Sequence, residues 1–313
     1  NGLRKPLYPF LNWAGARIDE WSAVHDAEWG SLRASLLEQL SDQLIELAYK
    51  TFVLEANILS GTSGGGAADG GSAVDRFARV AAESPRCAQR LYLRYPALAR
   101  LAATAVLQWR KNTEDVLVRL RADASKIEEA ILREPIGVLQ GITGTLSDPH
   151  DGGKRVLVLR FSRGRRLVYK PRSADVDLAY QRFIAWLNDA GVEPRLRVLG
   201  VVTGDKYGWC EFVEAGALSG EEATRRFYRR HGAHLAVLYL LKATDFHSEN
   251  VIAGGEHPVL IDLETLMHAD VKGAPDKDPQ SGGDRALRNS VFASGLLPGW
   301  TDGDPLSPRP DLS

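Results

Sequence analysis

Cysteine is nearly absent: Cys87 and Cys210 are the only two in 313 residues. Two thiols cannot build a disulfide scaffold, and without a C-x-x-C pair there is no zinc site of the usual spacing. A chain so poor in cysteine reads as cytoplasmic and reduced. Net charge is nearly absent too. Lys+Arg is 39 against Asp+Glu 40, a formal charge of -1, so no bulk basic field directs the chain to nucleic acid. No run of about 18 apolar residues occurs, which excludes a membrane-spanning helix. The opening Asn1-Gly-Leu-Arg-Lys-Pro6 lacks the apolar stretch of a signal peptide, and no internal repeat is visible. What is present is ordinary globular composition, 44% hydrophobic and 25% charged, enough to bury a core without staples. The length suits more than one average domain and fewer than three. The chain lacks an initial Met, and Pro308-Arg-Pro-Asp-Leu-Ser313 closes no element, so it reads as a piece of a longer protein.

Periodicity divides the chain. From Ser31 to Phe52, Leu37, Leu40, Leu44 and Leu47 follow the three-four spacing of one helix face. Residues 60–72 are Gly-rich and read as a flexible loop; no strand or Gly-Lys-Ser/Thr frames them as a phosphate cradle. Helical patterns return at 75–83, 86–110 and 113–133, with Pro96 breaking or kinking the second. After Glu134-Pro135 the period becomes that of strands, at 136–146, 155–161 and 166–170, the last two joined by the turn Ser162-Arg-Gly-Arg165. A helix at 176–190, strands at 197–203 and 208–213, and a helix running, in one piece or two, from after Ser219 to about Ala243 follow. Glu221 and Glu222 suit the first turn of that helix. A hairpin closes the pattern at 251–253 and 259–262. The expected class is α+β, with a helical region over 1–133, a strand-rich lobe over 134–213 and a helix-rich lobe over 214–313.

The sharpest chemical signal is Thr244-Asp-Phe-His-Ser-Glu-Asn-Val-Ile252 followed by Val259-Leu-Ile-Asp-Leu-Glu264. Asp245 and Asn250 have the spacing of a protein-kinase catalytic loop, in which an Asp takes the substrate proton and an Asn holds a metal. Asp262 ends an apolar strand, where kinases place the Asp that carries Mg2+. Phosphoryl transfer needs this combination: a base at the attacking hydroxyl, and hard oxygen ligands for a cation against the phosphates. Taken singly, Asp245 and Asn250 are turn formers and Asp262 and Glu264 are solvated carboxylates. Together they make a constellation that chance seldom assembles.

Three weaker signals accompany it. Lys170 ends the third strand of the lobe, where a kinase keeps its phosphate-pairing Lys, although an edge-strand Lys also serves solubility. Asp175 and Asp177 are both candidates for its acidic partner. The run Tyr207-Gly-Trp-Cys-Glu-Phe-Val-Glu-Ala-Gly216 is either a hinge offering Glu211 and Val213 to adenine or a core strand ending in a turn. The loop Asp148-Pro-His150-Asp-Gly-Gly153 has the placement of a kinase Gly-rich loop without its G-x-G-x-x-G spacing, and His150 there is either a proton donor over phosphates or a bystander.

Taken together, the chain resembles the dehydratase domain of the class II lanthipeptide synthetases, the LanM family. The match is carried by Tyr169-Lys-Pro-Arg-Ser173, Tyr207-Gly-Trp209, Glu211-Phe-Val213, Tyr239-Leu-Leu-Lys-Ala-Thr-Asp245, His247-Ser-Glu-Asn250 and Pro258-Val-Leu-Ile-Asp-Leu-Glu-Thr-Leu266. Weaker likeness lies at Phe52-Val-Leu-Glu55 and Tyr95-Pro-Ala-Leu-Ala-Arg100. The resemblance implies a bilobal fold like the lipid kinases, preceded by helices. It implies ATP- and Mg2+-dependent phosphorylation of Ser and Thr in a ribosomal precursor peptide, then phosphate elimination to dehydroalanine or dehydrobutyrine. Carried onto this sequence, Lys170 would contact the phosphates, and Asp245 would be the base. His247 would steady the transferring phosphate, Asn250 and Asp262 would bind metal, and Glu264 would support them. By the placement of their loop between the first two strands, Asp148 is expected to face the phosphates and His150 to assist elimination. A C-terminal cyclase is the expected partner in the full-length protein; no zinc-ligand Cys/His set and hence no cyclase lies in this chain. The family's Arg and Thr for elimination lie beyond the part matched here. Two other classes share parts of the pattern: small-molecule phosphotransferases of the aminoglycoside or choline kinase type, and a non-catalytic module that binds nucleotide or leader peptide.

Overall fold

The first half of the chain is helical because its apolar residues recur on one face for long stretches uninterrupted by Gly or Pro. The computed structural model describes residues 2–22, 29–62, 72–82, 85–144, 152–267 and 289–298. It contains α1 (Tyr8–Trp21), α2 (Trp29–Thr62), α3 (Ala73–Ala82), α4 (Pro85–Arg94) and α5 (Pro96–Ile127), then a π-helical turn at Glu128–Leu132. In α2 the buried stripe is Leu32, Leu36, Leu40, Leu44, Ala48, Phe52 and Ala56, all at most 1% exposed. The stripe therefore runs at four-residue spacing and is offset from the one the sequence suggests: Leu37 lies at its margin and Leu47 is exposed. The helix also extends to Thr62, into the Gly-rich run, most of which lies outside the described residues. Pro96 does break the chain, separating α4 from α5 at Tyr95. The gap expected near residue 111 is absent. Lys111-Asn-Thr113 carries no breaker, and α5 continues to Ile127 and into the π-helical turn, after which Arg133 in the left-handed region (φ 59°) ends the helical stretch.

Three antiparallel strands follow: β1 (Leu139–Gly144), β2 (Leu157–Phe161) and β3 (Arg166–Lys170). β1 starts later than its apolar pattern suggests, because Gly137 turns the preceding chain at φ 80°, and residues 145–146 of the expected strand lie outside the described residues. It is an edge strand, and helix α2 covers it. Ser35 Oγ accepts from the Ile142 N–H at 3.1 Å and donates to the Ile142 carbonyl at 2.9 Å. One hydroxyl thus satisfies both backbone groups that β1 turns away from β2. The β2–β3 turn contains Arg163 and Gly164 at positive φ. Inward Leu157, Leu159, Phe161, Leu167 and Tyr169 alternate along β2 and β3.

The chain divides into two compact units, Asn1–Pro171 and Arg172–Ser313. The second begins with α6 (Asp175–Asp189), then β4 (Val201–Gly204) paired with β5 (Tyr207–Glu211), then α7 (Glu221–Leu240). Helix α7 opens on Gly220, with no side-chain cap, and runs unbroken. The hairpin β6 (Val251–Gly254) and β7 (His257–Leu260) completes it. Its core joins Tyr180 and Ile184 of α6, Val237 and Leu238 of α7, and Phe246, Leu260, Leu263 and Leu296. One buried histidine links three elements. His234 of α7 meets the Tyr180 hydroxyl through Nδ1 at 3.0 Å and the Pro258 carbonyl through Nε2 at 3.1 Å. A carbonyl only accepts, so Nε2 carries the proton and Nδ1 accepts from the tyrosine. Helices grouped before antiparallel strands and hairpins make the fold α+β. Among the described residues, no helix is long and apolar enough to cross a membrane.

Candidate active site

The segment after α7 is held so that one carboxylate stands clear of a packed core. Ala243 and Phe246 are 3% and 0% exposed, while the Asp245 side chain between them is 66% exposed. Asp245 adopts φ 66°, a left-handed conformation that Asp tolerates better than most residues. Asn250 supports it by donating Nδ2 to the Asp245 carbonyl at 2.7 Å, and the Phe246 N–H donates to Ser294 O at 2.8 Å. His247 starts the short 3-10 turn Ser248–Asn250; its Nδ1 accepts from the Glu249 N–H at 3.4 Å. In the neutral ring the proton therefore sits on Nε2, which faces Asp245 Oδ1 at 3.7 Å. That is too long for a hydrogen bond and close enough for ion pairing when the ring is protonated.

Asn250 and Asp262 flank the open end of the β6–β7 hairpin. Val251 pairs Leu260, and the Ile261 N–H donates to the Asn250 carbonyl at 2.9 Å. Asp262 has φ 56° and ψ 67°, again left-handed without being glycine, and leads into the 3-10 turn Leu263–Thr265. Leu263 is buried at 1% exposure, so the carboxylates on either side of it project away from the core. Both meet one guanidinium: Arg172 Nη2 pairs Asp262 Oδ1, and Nη1 pairs Glu264 Oε2. Thr265 Oγ1 donates to the Thr244 carbonyl and ties this turn to the residue before Asp245. Asp245, His247, Asn250, Asp262 and Glu264 thus form one cluster within the second unit. Arg172 belongs with them although the sequence alone points to no role for it; the signal available is its place in the Tyr169–Ser173 run. Among the described residues, no three of His, Cys, Asp and Glu converge as a metal-binding group. A cation here would rely on two carboxylates, the Asn250 amide oxygen and oxygens from a ligand.

Glu211 spends its carboxylate on Arg197 and on the Gly200 N–H at 3.2 Å, and its own N–H donates to Gly200 O at 2.9 Å. Val213 is buried with Leu199 and Val259. Lys170, in the first unit, is 7% exposed, unlike a lysine placed on a strand for solubility. Asp175 is exposed and bonded to Ser173 Oγ, whereas Asp177 is buried on α6. Asp148 and His150 lie outside the described residues. A cavity of about 380 Å³ also lies in the first unit, lined by residues that include Gln39, Trp109, Arg119, Arg155 and Tyr169. Arg119 donates to the Tyr169 hydroxyl there. Tyr169 and Lys170 point to opposite faces of β3, so this cavity is not the lysine's surroundings.

A family described as a domain of unknown function (DUF4135) matches residues 95–312. The lacticin 481/lactococcin biosynthesis protein LcnDR2 of Lactococcus lactis subsp. lactis is 22% identical over 311 residues, which covers 95% of this chain and 32% of that protein. The chain spans about a third of the length of the curated relative it matches.

Proposed function

The chain belongs to the DUF4135 family, the domain found in LanM-type proteins, and from that membership we propose that it is the dehydratase part of a lanthipeptide-biosynthesis enzyme. It phosphorylates Ser and Thr of a ribosomal precursor peptide with ATP and then eliminates the phosphate, leaving dehydroalanine or dehydrobutyrine. The accompanying fold is kinase-like and bilobal, with 134–213 the strand-rich lobe and 214–313 the helix-rich lobe behind the helices of 1–133. Its setting is the cytoplasm, and its partners are the precursor peptide and a cyclase domain.

The observation that carries the reading is the convergence of Asp245, Asn250 and Asp262 through the hydrogen bonds of one loop and one hairpin. The two carboxylates at 262 and 264 already share a single cation, the Arg172 guanidinium. With the Asn250 amide they form an all-oxygen donor set of the hard type Mg2+ takes, completed by phosphate oxygens. Bound there, Mg2+ would neutralise the charge on the nucleotide's phosphates. Asp245 takes the proton of the substrate hydroxyl as its oxygen bonds the γ-phosphorus and the bond to the bridging oxygen breaks, releasing ADP. His247 presents its Nε2–H on the same side as that carboxylate and steadies the phosphoryl oxygens. Lys170 holds the phosphates by charge. In the second step a base removes the Cα proton, the Cα–Cβ double bond forms, and the Cβ–O bond breaks as phosphate departs.

His150 assists that second step as a group able to move a proton near neutrality. The test is the mass of the precursor peptide after reaction with the polypeptide carrying this chain, ATP and Mg2+. The intact protein should yield peptide that has lost water, and His150→Ala should yield peptide that retains phosphate. Normal dehydration by His150→Ala would remove His150 from the mechanism. Unmodified peptide from the intact protein would contradict the reading as a whole.

A further inference from the structure

We propose that Arg172 is a resident counter-cation of the candidate metal site, so that a divalent cation enters by exchange with a guanidinium. The inference rests on the reading above, in which Asp262 and Glu264 face the metal. Arg172 bonds both of these carboxylates, one through each terminal nitrogen. The arrangement follows from the backbone: Asp262 is turned by its left-handed conformation, and buried Leu263 fixes the residues on either side outward. Without a cation between them the two carboxylates would repel each other. A fixed positive charge therefore keeps them converged before metal arrives.

The same geometry makes the arginine displaceable. The three side chains are 35%, 43% and 59% exposed for Arg172, Asp262 and Glu264, and ion pairs this open to water are individually weak. A dication gains twice the Coulomb attraction at the same oxygens. A guanidinium held mainly by charge yields to a cation of higher charge, so competition by a dication vacates the carboxylates. Once released, the planar fork of donors suits phosphate oxygens, and Arg172 lies two residues beyond Lys170 in the Tyr169–Ser173 run.

Titration of the nucleotide-free polypeptide with Mn2+, followed by the electron paramagnetic resonance signal of free Mn2+, tests the exchange without reference to activity. Arg172→Gln should bind Mn2+ roughly fivefold more tightly than the unaltered protein, from the loss of one competing charge. Arg172→Lys keeps the charge and loses the two-pronged grip, so its affinity should fall between the two. It also carries the test should the glutamine variant not fold. Affinities no tighter than the unaltered protein in either variant overturn the exchange. Asp262→Asn, made both in the otherwise unaltered protein and together with Arg172→Gln, separates this from the reading beneath it. If Asp262→Asn weakens binding but removal of Arg172 does not tighten it, the exchange alone is wrong. If Asp262→Asn leaves Mn2+ binding unchanged in both, the metal assignment falls and the exchange with it.

Discussion

His234 shows what one buried side chain contributes to the second unit. Burial lowers its pKa from the ordinary 6.5 to about 4, against the favourable bond to the Pro258 carbonyl. Burial also raises the Tyr180 phenol, which keeps its proton and donates it to Nδ1. Between pH 6.5 and 4 the unfolded chain binds a proton here that the folded chain does not. Stability is therefore fully present above about 6.5 and lost as pH falls toward 4, by about 3 kcal/mol over that window. Burial lowers His231 and His257 as well and adds in the same direction. Denaturant melts at pH 7 and pH 5 should show the loss, and His234→Gln should flatten it; an unchanged slope would assign the acid sensitivity elsewhere. None of this was legible in the sequence, because a histidine inside an amphipathic helix carries no sign of a tyrosine 54 residues earlier or a carbonyl 24 residues later. That Asp245, Asn250 and Asp262 come together was legible, since they fall within one loop and the hairpin that follows it. Arg172 was not, since its partners lie 90 and 92 residues away.

Strand β1 depends on a single hydroxyl from the helix laid over it. Ser35→Ala would leave the buried Ile142 N–H and C=O without the partner that serves both. Such an orphaned pair costs roughly 1–3 kcal/mol, and a urea titration should register it as a lower midpoint with an unchanged slope. A midpoint equal to the unaltered protein's would mean that water replaces the hydroxyl and that α2 does not hold the edge. The sequence located the elements well where turn chemistry is explicit. The Ser162–Arg165 turn and the Tyr95-Pro96 break are in their expected places, and the hairpin opens at Val251 as expected, although its second strand is His257–Leu260 rather than 259–262. It erred where boundaries depend on a left-handed residue or on the absence of any stop. Gly137 delays the start of β1, and nothing interrupts α5 around Asn112. The α2 stripe was displaced because Leu occurs at both 36 and 37, and only packing decides which is core.

Across the whole chain, an α+β fold was readable from the change of period near Glu134. The division after Pro171 was not, because no Gly-, Pro- or Ser-rich linker marks it. Family membership extends over both units, since the match runs from residue 95 to residue 312. The proposed activity is transfer of phosphate to peptide hydroxyls by the Asp245–Asn250–Asp262 cluster. Asp262→Asn tests it most directly, because the change removes one negative charge from a partly exposed side chain and nearly preserves its size. The measurement is the intact mass of a Ser/Thr-containing precursor peptide after incubation with ATP, Mg2+ and the polypeptide carrying this chain, with melting temperatures taken in parallel. The unaltered protein should give peptide that has lost water and Asp262→Asn unmodified peptide, with closely similar melting temperatures. Phosphorylated or dehydrated peptide at the unaltered rate from Asp262→Asn would contradict it.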